Sequence, residues 1–261
     1  MNLIKTLLSV SVLGLGVTAV QAQSSYSDWF DAGQPELEQN APNSPNTFLG
    51  GGFTTFADLA SFQTAVGAAI PSEDFESGLV QAAEVATCVE PVNSASNDSC
   101  YTPGSLIPGF NVTSSSGSGV VTLGSGLIGN STTVIGANQF DDTTSVSFDA
   151  EVFAVGLDVM SGGAVPVTVT AFDSSSNTIG SVTVNTSGSG VPTFVGLLSS
   201  ATPIDSITLS DDTGGGELFD NLTFGPIGPP PTVPLFNIYT VLLLLLLLAA
   251  VTWKVGFRKQ S

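Results

Sequence analysis

The sequence predicts an all-β domain, an antiparallel jelly-roll-like β-sandwich with one short N-terminal amphipathic helix, held between a signal peptide and a single C-terminal transmembrane helix. Three observations predict it. From Phe110 onward the chain breaks into short Val-, Thr- and Phe-rich runs of alternating polarity, separated by clusters of Gly, Ser, Asn and Asp. Only one stretch has helical spacing, so the strands are not interleaved with the helices that a parallel βαβ sheet requires. Residues 53–225 are one domain's worth of chain, enough to bury a core.

In chain order, residues 1–22 read as a signal peptide. Lys5 precedes an apolar run from Leu7 to Val20, and cleavage is expected between Ala22 and Gln23. Residues 23–52 form a flexible leader whose Gln, Ser, Asn and Pro content cannot offset ordering entropy. Tyr26, Trp29 and Phe30 are its exceptions, the residues able to dock on the domain. Phe56, Leu59, Phe62, Val66 and Ala69 recur at helical spacing and predict a helix over Thr55–Ala69. Thr54 or Thr55 would cap it, Asp58 would sit in its first turn, and Pro71 would end it.

Ten strands follow: Phe110–Thr113, Val120–Leu123, Thr133–Ile135, Thr144–Asp149, Val152–Val159, Val165–Phe172, Ile179–Asn185, Thr193–Leu198, Ile204–Ser210 and Leu218–Phe224. Val165–Phe172 and Ile179–Asn185 read as a hairpin that buries Val165, Val167, Val169 and Ala171 on one face. Residues 226–234, with five prolines, form a stiff linker. Residues 235–253 include the run Leu242–Leu248, and as a helix they span roughly 28 Å at ~1.5 Å per residue, one hydrocarbon core. The basic tail 254–261 belongs on the cytoplasmic side, which places the domain outside the membrane.

Charge narrows the chemistry. All four basic residues, Lys5, Lys254, Arg258 and Lys259, lie in the two targeting segments, and histidine is absent. The mature exterior part carries all 22 acidic residues and no cationic side chain. Catalysis by a Ser-His-Asp or Cys-His constellation is excluded, as are a serine-lysine pair and an arginine clamp. Nucleic-acid binding is excluded too, because no Lys or Arg can neutralise phosphates. Carboxylate chemistry, cation binding or no chemistry remains.

The two cysteines, Cys88 and Cys100, are expected to form a disulfide in a chain that leaves the cytoplasm. A zinc site lacks the ligands to complete it.

Two acidic clusters stand out. If Glu73-Asp74-Phe75-Glu76 is a strand that buries Phe75, Asp74 and Glu76 share the opposite face. In Leu218–Phe224, Asp220 shares the apolar face of Leu218, Leu222 and Phe224, where a carboxylate needs backbone amides or a metal ion. A jelly roll that sets its first and last strands side by side would gather Asp74, Glu76 and Asp220 into a Ca2+ site. Two carboxylates could also hydrolyse glycosides, but aromatic sugar platforms are scarce: Trp29, Tyr26 and Tyr101 are the only Trp and Tyr outside the membrane segment. The Gly-rich stretches 117–119 and 214–216 lack the lysine and helix of a phosphate loop and read as turns.

The tail, Val233-Pro234-Leu235-Phe236 followed by the leucine run and a basic end, resembles bacterial sorting signals of the PEP-CTERM type, nearest the IPTL-CTERM variant. Asn237-Ile238-Tyr239-Thr240 stands where that pattern usually has an acidic residue, Trp and Gly. The body resembles the extracellular domains that precede such tails, in the order helix residues Phe56 to Gly67, Asp74-Phe75-Glu76, Val155–Val159, Thr170–Asp173, Phe194-Val195-Gly196 and Phe219–Gly225. The resemblance implies processing by an exosortase-like membrane enzyme and delivery to the cell surface or extracellular matrix of a Gram-negative bacterium. The expected function is thus a non-enzymatic exported surface or matrix protein. A Ca2+-supported carbohydrate-binding module that attaches exopolysaccharide is the alternative, and a carboxylate-only glycosidase ranks last.

Overall fold

The computed structural model describes residues 25–26, 46–47 and 52–226. The signal peptide, most of the leader, the linker after Pro226, the membrane helix and the sorting motif Val233–Phe236 lie outside the described residues.

The strands are β1 (Asn46–Thr47), β2 (Phe53–Phe56), β3 (Ser72–Glu73), β4 (Val85–Cys88), β5 (Phe110–Ser114), β6 (Val120–Leu123), β7 (Val134–Ala137) and β8 (Thr144–Val152). They continue as β9 (Ala154–Met160), β10 (Pro166–Phe172), β11 (Thr178–Asn185), β12 (Thr193–Ser199), β13 (Ile204–Ser210) and β14 (Leu218–Gly225). One helix, α1 (Leu59–Val66), follows β2. Two antiparallel sheets form, β1-β11-β10-β13-β8-β5 and β2-β12-β9-β14-β7-β6-β4, with β3 also paired to β14. From β8 onward the chain passes back and forth between the sheets. This antiparallel sandwich is the predicted fold class, and all ten predicted strands are present within a few residues of their expected bounds.

Odd positions of β9 and β12, such as Val155, Leu157, Val195 and Leu197, fill the space between the sheets. Phe75 joins this core edge-on, its ring centroid 6.1 Å from Phe110 and 5.6 Å from Phe219. Each such buried ring contributes about 1.5–3 kcal/mol of transfer free energy. The outer face of the larger sheet carries two smaller apolar clusters, one around Phe62 and Val66 of α1 and one around Tyr26, Phe140 and Met160.

The helix is shorter than its apolar spacing predicts. Asp58 is extended at φ −142° and its side chain accepts the Ser61 amide at 2.8 Å, so it caps the helix that Thr54 or Thr55 was expected to cap. Phe56 therefore belongs to β2, opposite Gly196. Gly67, left-handed at φ 68°, ends the helix ahead of Pro71. Phe62 of α1 rests over the cross-strand pair Gly156 and Gly196, where an added Cβ would lie 2.9 and 2.6 Å from its ring. The expected disulfide, Cys88–Cys100, is present and buried.

Candidate functional site

The site is built on the outer face of the larger sheet, where β9 and β14 run side by side. Asp158 and Asp220 are direct cross-strand partners, so two carboxylates face each other at a spacing where like charges repel. Asn221 stands between them. Its side-chain amide donates to Asp158 Oδ2 at 2.9 Å and to Asp220 Oδ2 at 3.3 Å. Asn221 can do so because it is left-handed, φ 52°, at a β-bulge between Asp220 and Thr223.

That bulge corrects the predicted facing of Asp220. Strict alternation set Asp220 on one face with Leu218, Leu222 and Phe224. The extra residue shifts the alternation, so Leu222 and Phe224 join Phe219 in the inter-sheet core. Asp220 stays on the outer face with Leu218. It is only 1% exposed, and Thr132 Oγ1 at 2.7 Å and the Asn221 amide at 2.6 Å donate to it. Burial pushes its pKa up to about 7 against those hydrogen bonds, with Asp158 and Glu76 adding to the rise.

Glu76 reaches the same neighbourhood, since its carboxylate accepts the Thr133 amide at 2.5 Å and the Thr133 hydroxyl at 3.2 Å. Glu76 and Asp220 thus accept from the adjacent residues Thr133 and Thr132, and β3 pairs with β14. The expected strand through Phe75 is not. Phe75 is left-handed at φ 55°, β3 stops at Glu73, and exposed Asp74 accepts the Glu76 amide at 3.2 Å in a tight turn. Among the described residues, no group of three or more His, Cys, Asp or Glu side chains converges as a metal site.

Beside this pair opens a groove of about 560 Å³, bounded by α1 and the segment after it and by Phe194, Asp158, Asn221, Ser72 and Thr223. Phe194 gives a partly buried aromatic wall, 5.7 Å between ring centroids from Phe62. Gln63 and Asn221 offer amides, Asp158 a carboxylate, and Ser72 and Thr223 hydroxyls. Such a wall can bind a ligand rich in hydroxyl groups by stacking and paired hydrogen bonds.

Among the described residues, four buried carboxylates lie outside the predicted set, Glu73, Asp142, Asp211 and Glu217, and the first and last of these contrast. Glu73 is 3% exposed and accepts the Phe75 amide at 2.8 Å through Oε1 and the Ile107 amide at 2.7 Å through Oε2. Glu217 is 1% exposed, and both its hydrogen bonds, from the Thr144 amide and hydroxyl at 2.8 Å, end on Oε1. Burial pushes its pKa up to about 8, with Asp211 adding to the rise and Thr144 offsetting part of it. No alternation signal marks either residue. The Asp220-Asn221 dipeptide was the readable sign of the bulge, since Asn is enriched in left-handed positions.

No protein-family profile and no curated protein matches the chain. Among solved structures, a mutant of CBM29-2, a family 29 carbohydrate binding module, complexed with cellulohexaose is 16% identical over 55% of this chain and 94% of that one, with a TM-score of 0.34. The CBM22-1 and GH10 modules of Clostridium thermocellum xylanase 10B, complexed with xylohexaose, are 13% identical over 61% of this chain and 28% of that one, with a TM-score of 0.30. The enzymatically active domain of bacteriophage CBA120 tailspike protein 4 is 14% identical over 44% of this chain and 19% of that one, with a TM-score of 0.29.

Proposed function

We propose that the chain is a non-enzymatic, exported cell-surface or matrix protein whose sandwich binds a neutral saccharide in the groove beside α1. The observation that supports this best is the wall itself: Phe194 next to the amides of Gln63 and Asn221, the carboxylate of Asp158 and two hydroxyls. Planar polar side chains next to an aromatic ring suit sugar hydroxyls and the apolar face of a pyranose. Asp158, in a domain without Lys, Arg or His, disfavours acidic sugars.

Hydrolysis is the weaker reading. Asp220 has an acid's raised pKa and Asp158 faces it, but Asp220 is 1% exposed and its oxygens are occupied by Thr132 and Asn221. A general acid must reach the glycosidic oxygen.

In this reading the signal at 1–22 exports the chain, and the tail from Val233 holds it at the membrane until an exosortase-like enzyme processes it. Calcium support from Glu76 and Asp220, with Asp74, belongs to the same proposal. Affinity electrophoresis against a panel of neutral and acidic polysaccharides tests the groove. Retardation by a neutral glucan or xylan, lost in Phe194→Ala with folding retained, is the expected result; no retardation by any neutral polymer overturns it. The mass of the carboxy terminus in fractionated cells tests the tail, and finding Ser261 still attached overturns processing.

A further inference from the structure

Two buried polar atoms near the Gly215–Glu217 turn have no hydrogen-bond partner: Glu217 Oε2 and the Tyr26 hydroxyl. Tyr26 is fully buried and comes from the segment ahead of the sandwich. Its amide donates to the Asn138 carbonyl at 2.8 Å, and its ring packs edge-on against Phe140 at 4.5 Å. Its hydroxyl lies so close to the turn that a Cβ on Gly216 would meet it at 2.6 Å.

The same turn is held by Asp211, whose Oδ2 accepts the Gly215 amide at 2.6 Å, and by Ser161, whose hydroxyl donates to the Gly215 carbonyl at 3.1 Å. Burial raises the Tyr26 pKa, and Glu217 and Asp211 raise it further. Ser161 offsets part of that rise without forming a hydrogen bond to Tyr26 that meets normal geometry.

A buried carboxylate oxygen and a buried phenol oxygen left without partners are each costly. Elsewhere in the domain such oxygens take backbone amides, as Glu73 does. No amide reaches Glu217 Oε2 or the Tyr26 hydroxyl, and the domain has no cationic side chain to supply. Oxygen ligands of this kind suit a hard cation.

We propose that Glu217 Oε2 and the Tyr26 hydroxyl, at the Gly215–Glu217 turn, bind one hard cation of the Ca2+ class, which fastens the segment bearing Tyr26 to the sandwich. This ion is separate from the Asp74, Glu76 and Asp220 set.

The test is thermal unfolding of the full chain in detergent at pH 8, with CaCl2 or with EGTA. In the wild type, Ca2+ near a hundredfold over its dissociation constant raises the midpoint by about 5 °C or more. Glu217→Gln loses that rise while its midpoint in EGTA stays at or above the wild-type value, and Tyr26→Phe shifts the half-effective Ca2+ concentration at least tenfold. No Ca2+ response in the wild type overturns the proposal and leaves a protonated Glu217 as the occupant. A response that survives Glu217→Gln but vanishes in Asp220→Asn overturns it too, by moving the ion to the other cluster. If Glu217→Gln does not fold, Tyr26→Phe decides alone: an unchanged Ca2+ midpoint overturns the proposal.

Discussion

Glu73 and Glu217 flank the same strand, Glu73 paired with Leu222 inside β14 and Glu217 one residue before it, and both are almost fully buried. Glu73 divides its two oxygens between two backbone amides, those of Phe75 and Ile107. Glu217 spends both donors of Thr144 on one oxygen and leaves the other empty. The difference lies in the loops. Left-handed Phe75 folds its amide back under Glu73, and the loop before β5 brings the second, whereas the turn before β14 directs its amides at Asp211. In a domain without cationic side chains, buried charge is settled by where loops aim their N–H groups.

The largest expected effect comes from breaking the satisfied corner. Glu73→Ala strands one buried and one part-buried amide, a loss of roughly 2–6 kcal/mol at 1–3 kcal/mol for each unsatisfied group. Urea denaturation measures it. A loss under about 1 kcal/mol would show that water reaches those amides and that the contrast with Glu217 is false.

The unsatisfied corner should respond in the opposite sense. The Glu217 pKa stands at about 8 when folded against an ordinary 4.5, so the native state holds a proton that the unfolded chain releases. Stability from this group is complete below about pH 4.5 and is lost as pH rises to about 8. Asp220, raised from 3.8 to about 7, acts the same way over a lower window. In EGTA the melting midpoint should therefore fall from pH 4.5 to 8. Glu217→Gln should flatten the upper part and exceed the wild type at pH 8 by about 2–4 kcal/mol. An unchanged slope in that variant would place the titrating group elsewhere.

Asp98, in the disulfide loop, is an intermediate case. It accepts the Cys100, Tyr101 and Val89 amides at 2.8, 3.1 and 2.7 Å, but it is only partly buried. Water can replace the carboxylate there, so Asp98→Ala should cost about 1–2 kcal/mol despite removing three bonds. A cost equal to that of Glu73→Ala would mean that burial does not set the scale.

What the sequence revealed follows the same physics. The strands from Phe110 onward were legible because alternation records which face is buried, and Val167, Val169 and Ala171 are buried as read. Alternation fails where a residue enters the left-handed region. Phe75 carries no glycine or asparagine to announce it, and Asn221 shifts the facing of every residue after it. Asp58 was placed one role off because a cap and a first-turn acid look alike without the backbone. Glu73 and Glu217 were invisible as sites, since amides that reach them come from residues distant in sequence, Ile107 in the loop before β5 in one case and Thr144 at the start of β8 in the other.

The smallest expected effect separates the bulge from the groove. Glycine adopts φ 52° without strain, so Asn221→Gly keeps the bulge and the amide bond to Asp220 Oδ1, removing only the side chain between two carboxylates. Its cost should stay under about 1 kcal/mol, mostly from the freer unfolded chain. Asn221→Ala loses the same amide but forces a Cβ into the left-handed region, adding about 1–2 kcal/mol. Both variants should weaken saccharide binding alike, because both take the same hydrogen-bonding group from the groove wall. If alanine and glycine prove equally stable, the bulge does not depend on the left-handed residue. If only the alanine variant loses binding, the backbone shapes the groove and the Asn221 amide does not touch the sugar.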